Sequence, residues 1–131
     1  MEAAQALSEL TALSAQVTAA VVLGEDGSPV AATVDDERAR DLAQAVNDLV
    51  AAAVRAAGRD AAALAQLEVS TPAGSVFVVR DGRRTIAATT APEPPSGLVF
   101  YDLKTCLRGI AEEPKPRPTP RPRKKAGDAA A

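Results

Sequence analysis

The sequence predicts an α+β domain in the order helix, two strands, helix, three strands, helix, with a basic proline-rich tail behind it. Three observations predict it. A segment of about 22 residues from Asp36 has helical periodicity throughout. Short β-branched runs are separated by Gly24-Glu25-Asp26-Gly27-Ser28 and by Asp81-Gly82, which are turn chemistry. The 131-residue length, with 47% hydrophobic and 24% charged residues, is room for a single globular domain.

Leu7, Leu10 and Leu13 recur near helical spacing within residues 3–15, so the chain opens with a short helix. Val17 to Leu23 is a nearly continuous apolar strand, and Pro29 to Val34 reads as its return strand. Asp35 and Asp36 are N-cap candidates for the next helix, and Gly58 supplies its stop. Gln66-Leu67-Glu68-Val69-Ser70 alternates as a strand should, and Pro72-Ala73-Gly74 turns the chain. Ser75 to Arg80 is the most strand-like run, and the Asp81-Gly82 dipeptide predicts a type I′ hairpin into Arg83–Thr90. After three prolines in Ala91–Pro95, Ser96 caps a last helix running to about Glu113, with Val99, Leu103, Cys106, Leu107 and Ile110 on one face.

The long helix carries the clearest functional signal. At about 100° per residue, Leu42, Ala45, Val46, Leu49, Val50, Ala53, Val54 and Ala57 fall on one arc, widened by Ala39, Ala43, Ala52 and Ala56 to about 200°. Covering one sheet face needs about half of that. Such a helix calls for two partners: its own sheet, and either another helix of the chain or the same helix of a second subunit. Ala45, Leu49, Ala52, Ala53 and Ala56 are the candidate contact positions.

Composition excludes much chemistry. The chain has no histidine and no tryptophan, and aromatics are 2%. A His–Cys zinc site, a Ser-His-Asp triad, an imidazole base and an aromatic platform for bases are therefore out of reach. Neither glycine-containing turn fits the phosphate-binding G-x-x-x-x-G-K-[ST] pattern. Asp35-Asp36-Glu37 reads as a helix cap and dipole partner rather than a metal site. Arg80, Arg83 and Arg84 read as the solvated tip of a hairpin. Cys106 reads as a small buried hydrophobe. No catalytic, cofactor-binding or metal-binding residue is assigned. The lone cysteine, together with a start that lacks a basic n-region, predicts a cytoplasmic protein, and no run approaches the ~20 apolar residues of a membrane span.

The net charge of −2 is an average of two unlike parts. Residues 114–131 set Lys115, Arg117, Arg121, Arg123, Lys124 and Lys125 against Asp128, leaving +5. The first 113 residues hold 9 basic and 16 acidic side chains, leaving −7. Five prolines alternate through the tail, so it is expected to be a disordered, extended arm and the domain to end at residue 113.

The element order, the strand–turn–strand from Thr18 to Ala32 with its Asp26-Gly27-Ser28-Pro29 turn, and the long helix after Asp36 resemble the Roadblock/dynein light chain family. The meander around Asp81-Gly82 and the closing helix extend the resemblance over residues 3–113. The resemblance implies a Roadblock/profilin-like fold: a five-stranded antiparallel sheet with helices on both faces. It also implies dimers joined sheet edge to sheet edge with the long helices side by side, and, for bacterial members, regulation of small Ras-like GTPases. The alanine- and arginine-rich composition suggests a bacterial chain. The expected function is a non-catalytic, homodimeric module that regulates or scaffolds a small GTPase. The alternatives are a ligand- or anion-sensing domain and an adaptor using the basic tail. That tail can bind nucleic acid or anionic membrane, dock in an aromatic groove, or fold back on the acidic body.

Overall fold

The structure is a computed structural model that describes residues 1–58 and 65–111. The expected boundary at residue 113 and the whole basic tail lie outside the described residues.

The element order is α1 (Ala3–Leu13), β1 (Val17–Leu23), β2 (Pro29–Ala32), α2 (Asp36–Ala57), β3 (Gln66–Thr71), β4 (Gly74–Asp81), β5 (Arg84–Thr90) and α3 (Ser96–Ala111). The strands form one five-stranded sheet in the order β2-β1-β5-β4-β3, with antiparallel neighbours throughout. The β1–β2 hairpin and the β3–β4–β5 meander thus join through the β1–β5 pair in the middle.

Alternation along the central strands divides the core in two. Ala20 and Val22 of β1, Phe77 and Val79 of β4 and Ile86 and Ala88 of β5 face α1 and α3, where they meet Leu7, Leu10, Val99, Leu103, Leu107 and Ile110. Phe77 packs edge-to-face on Phe100 with ring centroids 5.0 Å apart. On the other face, Val21, Leu23, Val78 and Ala87 meet Ala43 and Val46 of α2. The two terminal helices therefore share one face and α2 holds the other.

Local chemistry fixes most boundaries. The Asp35 carboxylate accepts from the Arg38 backbone N–H at 2.9 Å, and Gly58 ends α2 in the left-handed conformation, with φ 70°. β2 stops two residues short of the expected Val34. Thr33 leaves the strand by using its hydroxyl as well as its backbone: Oγ1 accepts the Ala20 N–H at 2.9 Å while the Thr33 N–H donates to the Ala20 carbonyl at 3.0 Å. α1 also ends early. The Ser14 N–H closes it onto the Leu10 carbonyl, which leaves Leu13 83% exposed rather than in the core.

Two turn assignments need correction. Asp81 pairs with Arg84, so the hairpin turns on Gly82-Arg83 instead of Asp81-Gly82. Of its two central residues only Gly82 has positive φ, at 64°, as in a type II′ turn rather than I′. Ser96 is not the cap of α3. The Pro95 carbonyl accepts from the Leu98 and Val99 N–H groups, and the Ser96 hydroxyl instead donates to Glu68 Oε2 at 2.7 Å. That bond ties the first turn of α3 to the middle of β3.

Candidate interaction surface

α2 is wider in its apolar arc than its sheet requires, and the structure shows where the excess goes. Ala39, Ala43 and Val46 are buried against the sheet. Leu42, Leu49, Val50, Ala53 and Val54 are half-buried, while Ala45, Ala52, Ala56 and Ala57 are exposed. Of the five candidate contact positions, Leu49 and Ala53 thus lie at the margin of the helix–sheet contact and Ala45, Ala52 and Ala56 lie outside it. α1 and α3, packed on the opposite face, do not cover this flank, so among the described residues neither supplies its second contact. The flank carries small side chains, which allow another backbone to approach closely.

The sheet beneath is also incompletely covered. Val69 pairs with Val76 and Leu67 with Val78, which puts Leu67, Val69 and Val76 on the α2 face, where all three are half-buried. Sequence reading placed these residues in strands but missed them as surface, because no periodicity says which strand ends a sheet.

The two sheet edges differ. β2 has four residues and begins at Pro29, whose nitrogen has no hydrogen to donate, and a register shift at Val22/Leu23 twists the pairing behind it. Those are the devices that guard an edge. β3 has six residues without proline and pairs in unbroken register with β4 on its inner side. Among the described residues no strand pairs with its outer side, whose backbone groups suit pairing with another strand. The half-covered Leu67–Val69–Val76 row runs along the β3 edge on the same sheet face that α2 packs against.

Chemical groups are sparse here. Arg83 approaches Glu25 at 3.8 Å, with both side chains well exposed, a pairing worth little in water. Asp26 is held below the usual carboxylate range by the Ser28 backbone N–H and hydroxyl, which organises the β1–β2 turn. The Cys106 thiol is pushed up to about 11 by burial and secondarily by the charge of Glu9. A thiol so placed is a poor nucleophile. Among the described residues no helix is long and apolar enough to cross a membrane.

One long helix on one sheet face and two terminal helices on the other place the chain in the Roadblock/profilin class of α+β domains. Residues 3–91 match the Roadblock/LC7 domain, and the chain belongs to that family. A Roadblock/LC7 domain from Streptomyces avermitilis superimposes with a TM-score of 0.73 at 17% identity, over 85% of this chain and 96% of that one. MglB of Myxococcus xanthus does so with a TM-score of 0.66 at 17% identity, over 84% and 94%. Profilin IA of Acanthamoeba castellanii reaches 0.52 at 20% identity, over 83% and 97%. These likenesses are of fold. A search of curated proteins finds no sequence match.

Proposed function

We propose that the chain is a non-catalytic homodimeric interaction module that regulates or scaffolds a small Ras-like GTPase in the cytoplasm. Its domain runs through residue 113 and the basic segment 114–131 follows it. One observation carries the reading: α2 keeps an alanine flank outside its sheet contact, on the sheet face that also holds a half-covered apolar row along the β3 edge. Two copies joined antiparallel through β3 bring the second α2 alongside the first. Ala45, Leu49, Ala52, Ala53 and Ala56 then form the seam, and the Leu67–Val69–Val76 rows lie beneath it. Membership of the Roadblock/LC7 family supports both the assembly and the GTPase. The lone Cys106 fits a reducing compartment.

Light scattering at tens of micromolar, a range suited to interfaces of ordinary affinity, is expected to give about twice the 13.4 kDa chain mass. The Ala45→Glu/Ala52→Glu variant is expected to run as a folded monomer, since both sites are exposed and glutamate is a good helix former. A monomeric unmodified protein overturns the assembly. For the GTPase, the tagged protein is mixed with Ras-like GTPases loaded with GDP or a GTP analogue. Preference for one nucleotide state supports regulation, equal retention supports scaffolding, and loss of both with an intact dimer overturns the GTPase reading.

A further inference from the structure

On the face opposite α2, α1 and α3 enclose a groove of about 200 Å³ lined by Ala6, Leu10, Leu13 and Cys106, with Glu9 and Asp102 on its two walls. The helices run antiparallel. The N-terminal ammonium donates to the Gly109 carbonyl at 3.3 Å, and at the other end Leu13 shares the groove with Asp102. Leu13 offers an apolar side chain 83% exposed.

The opposite flank of α3 is basic. Lys104 and Arg108 stand there beside Arg80 and Asp81, so the basic side chains outnumber the single carboxylate. α3 thus presents an acidic-rimmed apolar channel toward α1 and positive charge toward β4. Its last described residue, Ala111, lies two positions beyond Gly109 at one mouth of the channel. From there the sequence continues into Pro114-Lys115-Pro116-Arg117-Pro118-Thr119-Pro120-Arg121-Pro122-Arg123-Lys124-Lys125.

We propose that residues 114–125 dock in the α1–α3 groove of their own chain, with prolines against Leu10, Leu13 and Cys106 and cations toward Glu9 and Asp102. The two carboxylates outnumber the N-terminal ammonium at the mouth of the groove, whereas on the other flank of α3 the basic side chains outnumber Asp81, so charge selects the groove. Reach suffices. Gly109 to Asp102 is about 10 Å at 1.5 Å per helical residue, a distance that about four residues of extended proline-rich chain cover. A sequence with proline at every second position from 114 to 122 has fewer backbone conformations to lose on docking. A short tether supplies an effective concentration of order millimolar, so weak intrinsic affinity is enough. The docked segment lies across the sheet from the α2–β3 seam, and the inference stands independently of that assembly.

Two measurements on the full-length protein test it. Carbodiimide treatment of an equal mixture of nitrogen-14 and nitrogen-15 protein is followed by mapping of the linked peptides. Links from Glu9 or Asp102 to Lys115, Lys124 or Lys125 within one isotope are expected. Links between isotopes put the segment on a second copy and overturn the proposal, as does the absence of these links. Cys106, the single cysteine of the chain, reports on groove access. Alkylation by iodoacetamide is expected to be about threefold or more faster in Arg117→Glu/Arg121→Glu/Arg123→Glu than in the unmodified protein, from the occupancy a millimolar tether allows. These substitutions leave the groove itself unaltered, and equal rates overturn the docking.

Discussion

Gly74 closes the β3–β4 turn, and replacing it by alanine tests how the candidate edge strand is held. The Thr71 hydroxyl accepts the Ala73 and Gly74 N–H groups and donates to the Gly74 carbonyl at 2.7 Å. That clamp holds Gly74 at φ 152°, a conformation side-chain-bearing residues avoid. A Cβ there would run into the Thr90 backbone carbonyl, on the strand to which β4 is paired. Two penalties add: about 1–3 kcal/mol for the backbone conformation and about 1–3 kcal/mol for pushing packed backbone apart. Gly58→Ala is the internal control. Gly58 has φ 70° and open space where its Cβ would go, so it carries only the left-handed penalty of about 1–2 kcal/mol. At roughly 4 °C per kcal/mol for a domain near this size, Gly58→Ala should lower Tm by about 4–8 °C. Gly74→Ala should lower it by about 8–24 °C, and by loosening β3 it should also weaken the proposed self-association. Circular-dichroism melts of the two variants side by side decide the matter. If Gly74→Ala melts no lower than Gly58→Ala, the steric reasoning at the β4–β5 junction is wrong.

Three further outcomes are expected. Glu68→Ala removes the acceptor for Ser96 and Ser70 and should cost about 1 kcal/mol in urea unfolding, with Ser96→Ala adding little on top because the two share one bond. Asp35→Ala, which deletes the α2 cap, should likewise cost about 1 kcal/mol and fray the first turn in amide exchange. For Cys106, burial raises the thiol from its ordinary 9.0 to about 11. Below pH 9 the thiol is neutral whether folded or unfolded. Above it the unfolded chain ionises first, so stability should fall by on the order of 2 kcal/mol between pH 9 and 11. Cys106→Ala should flatten that decline in a urea series.

Where a local chemical cause sets a boundary, it was readable in advance. Asp35 and Gly58 bracket α2 because a carboxylate cap and a left-handed glycine act over a single turn. The buried face of α3, from Val99 to Ile110, follows from helical spacing alone. The errors arose where distant residues compete with local ones. Ser96 has the chemistry of a cap, but Glu68, 28 positions away, takes its hydroxyl. Thr33 has strand propensity, yet its side chain doubles the backbone bond to Ala20 and ends β2. The Asp81-Gly82 dipeptide located the hairpin but not its centre, because the cross-strand partner of Asp81 decides which pair turns. The excess width of the α2 arc was visible from alanine spacing. That α1 and α3 take the far face, and that β3 is the open edge, depends on strand order, which no single-element pattern encodes.

The unequal edges of the sheet also govern how large an assembly can become. Pairing about a two-fold axis uses the same strand from both copies. Once β3 of one copy lies against β3 of another, the outermost strands on both sides are β2, each short and opened by Pro29. In such a pair each end would be a four-residue strand opened by a proline, a poor template for a third chain. In the proposed pair, the proline of the first hairpin would act as a chain terminator, limiting to a closed pair what would otherwise extend as a ribbon.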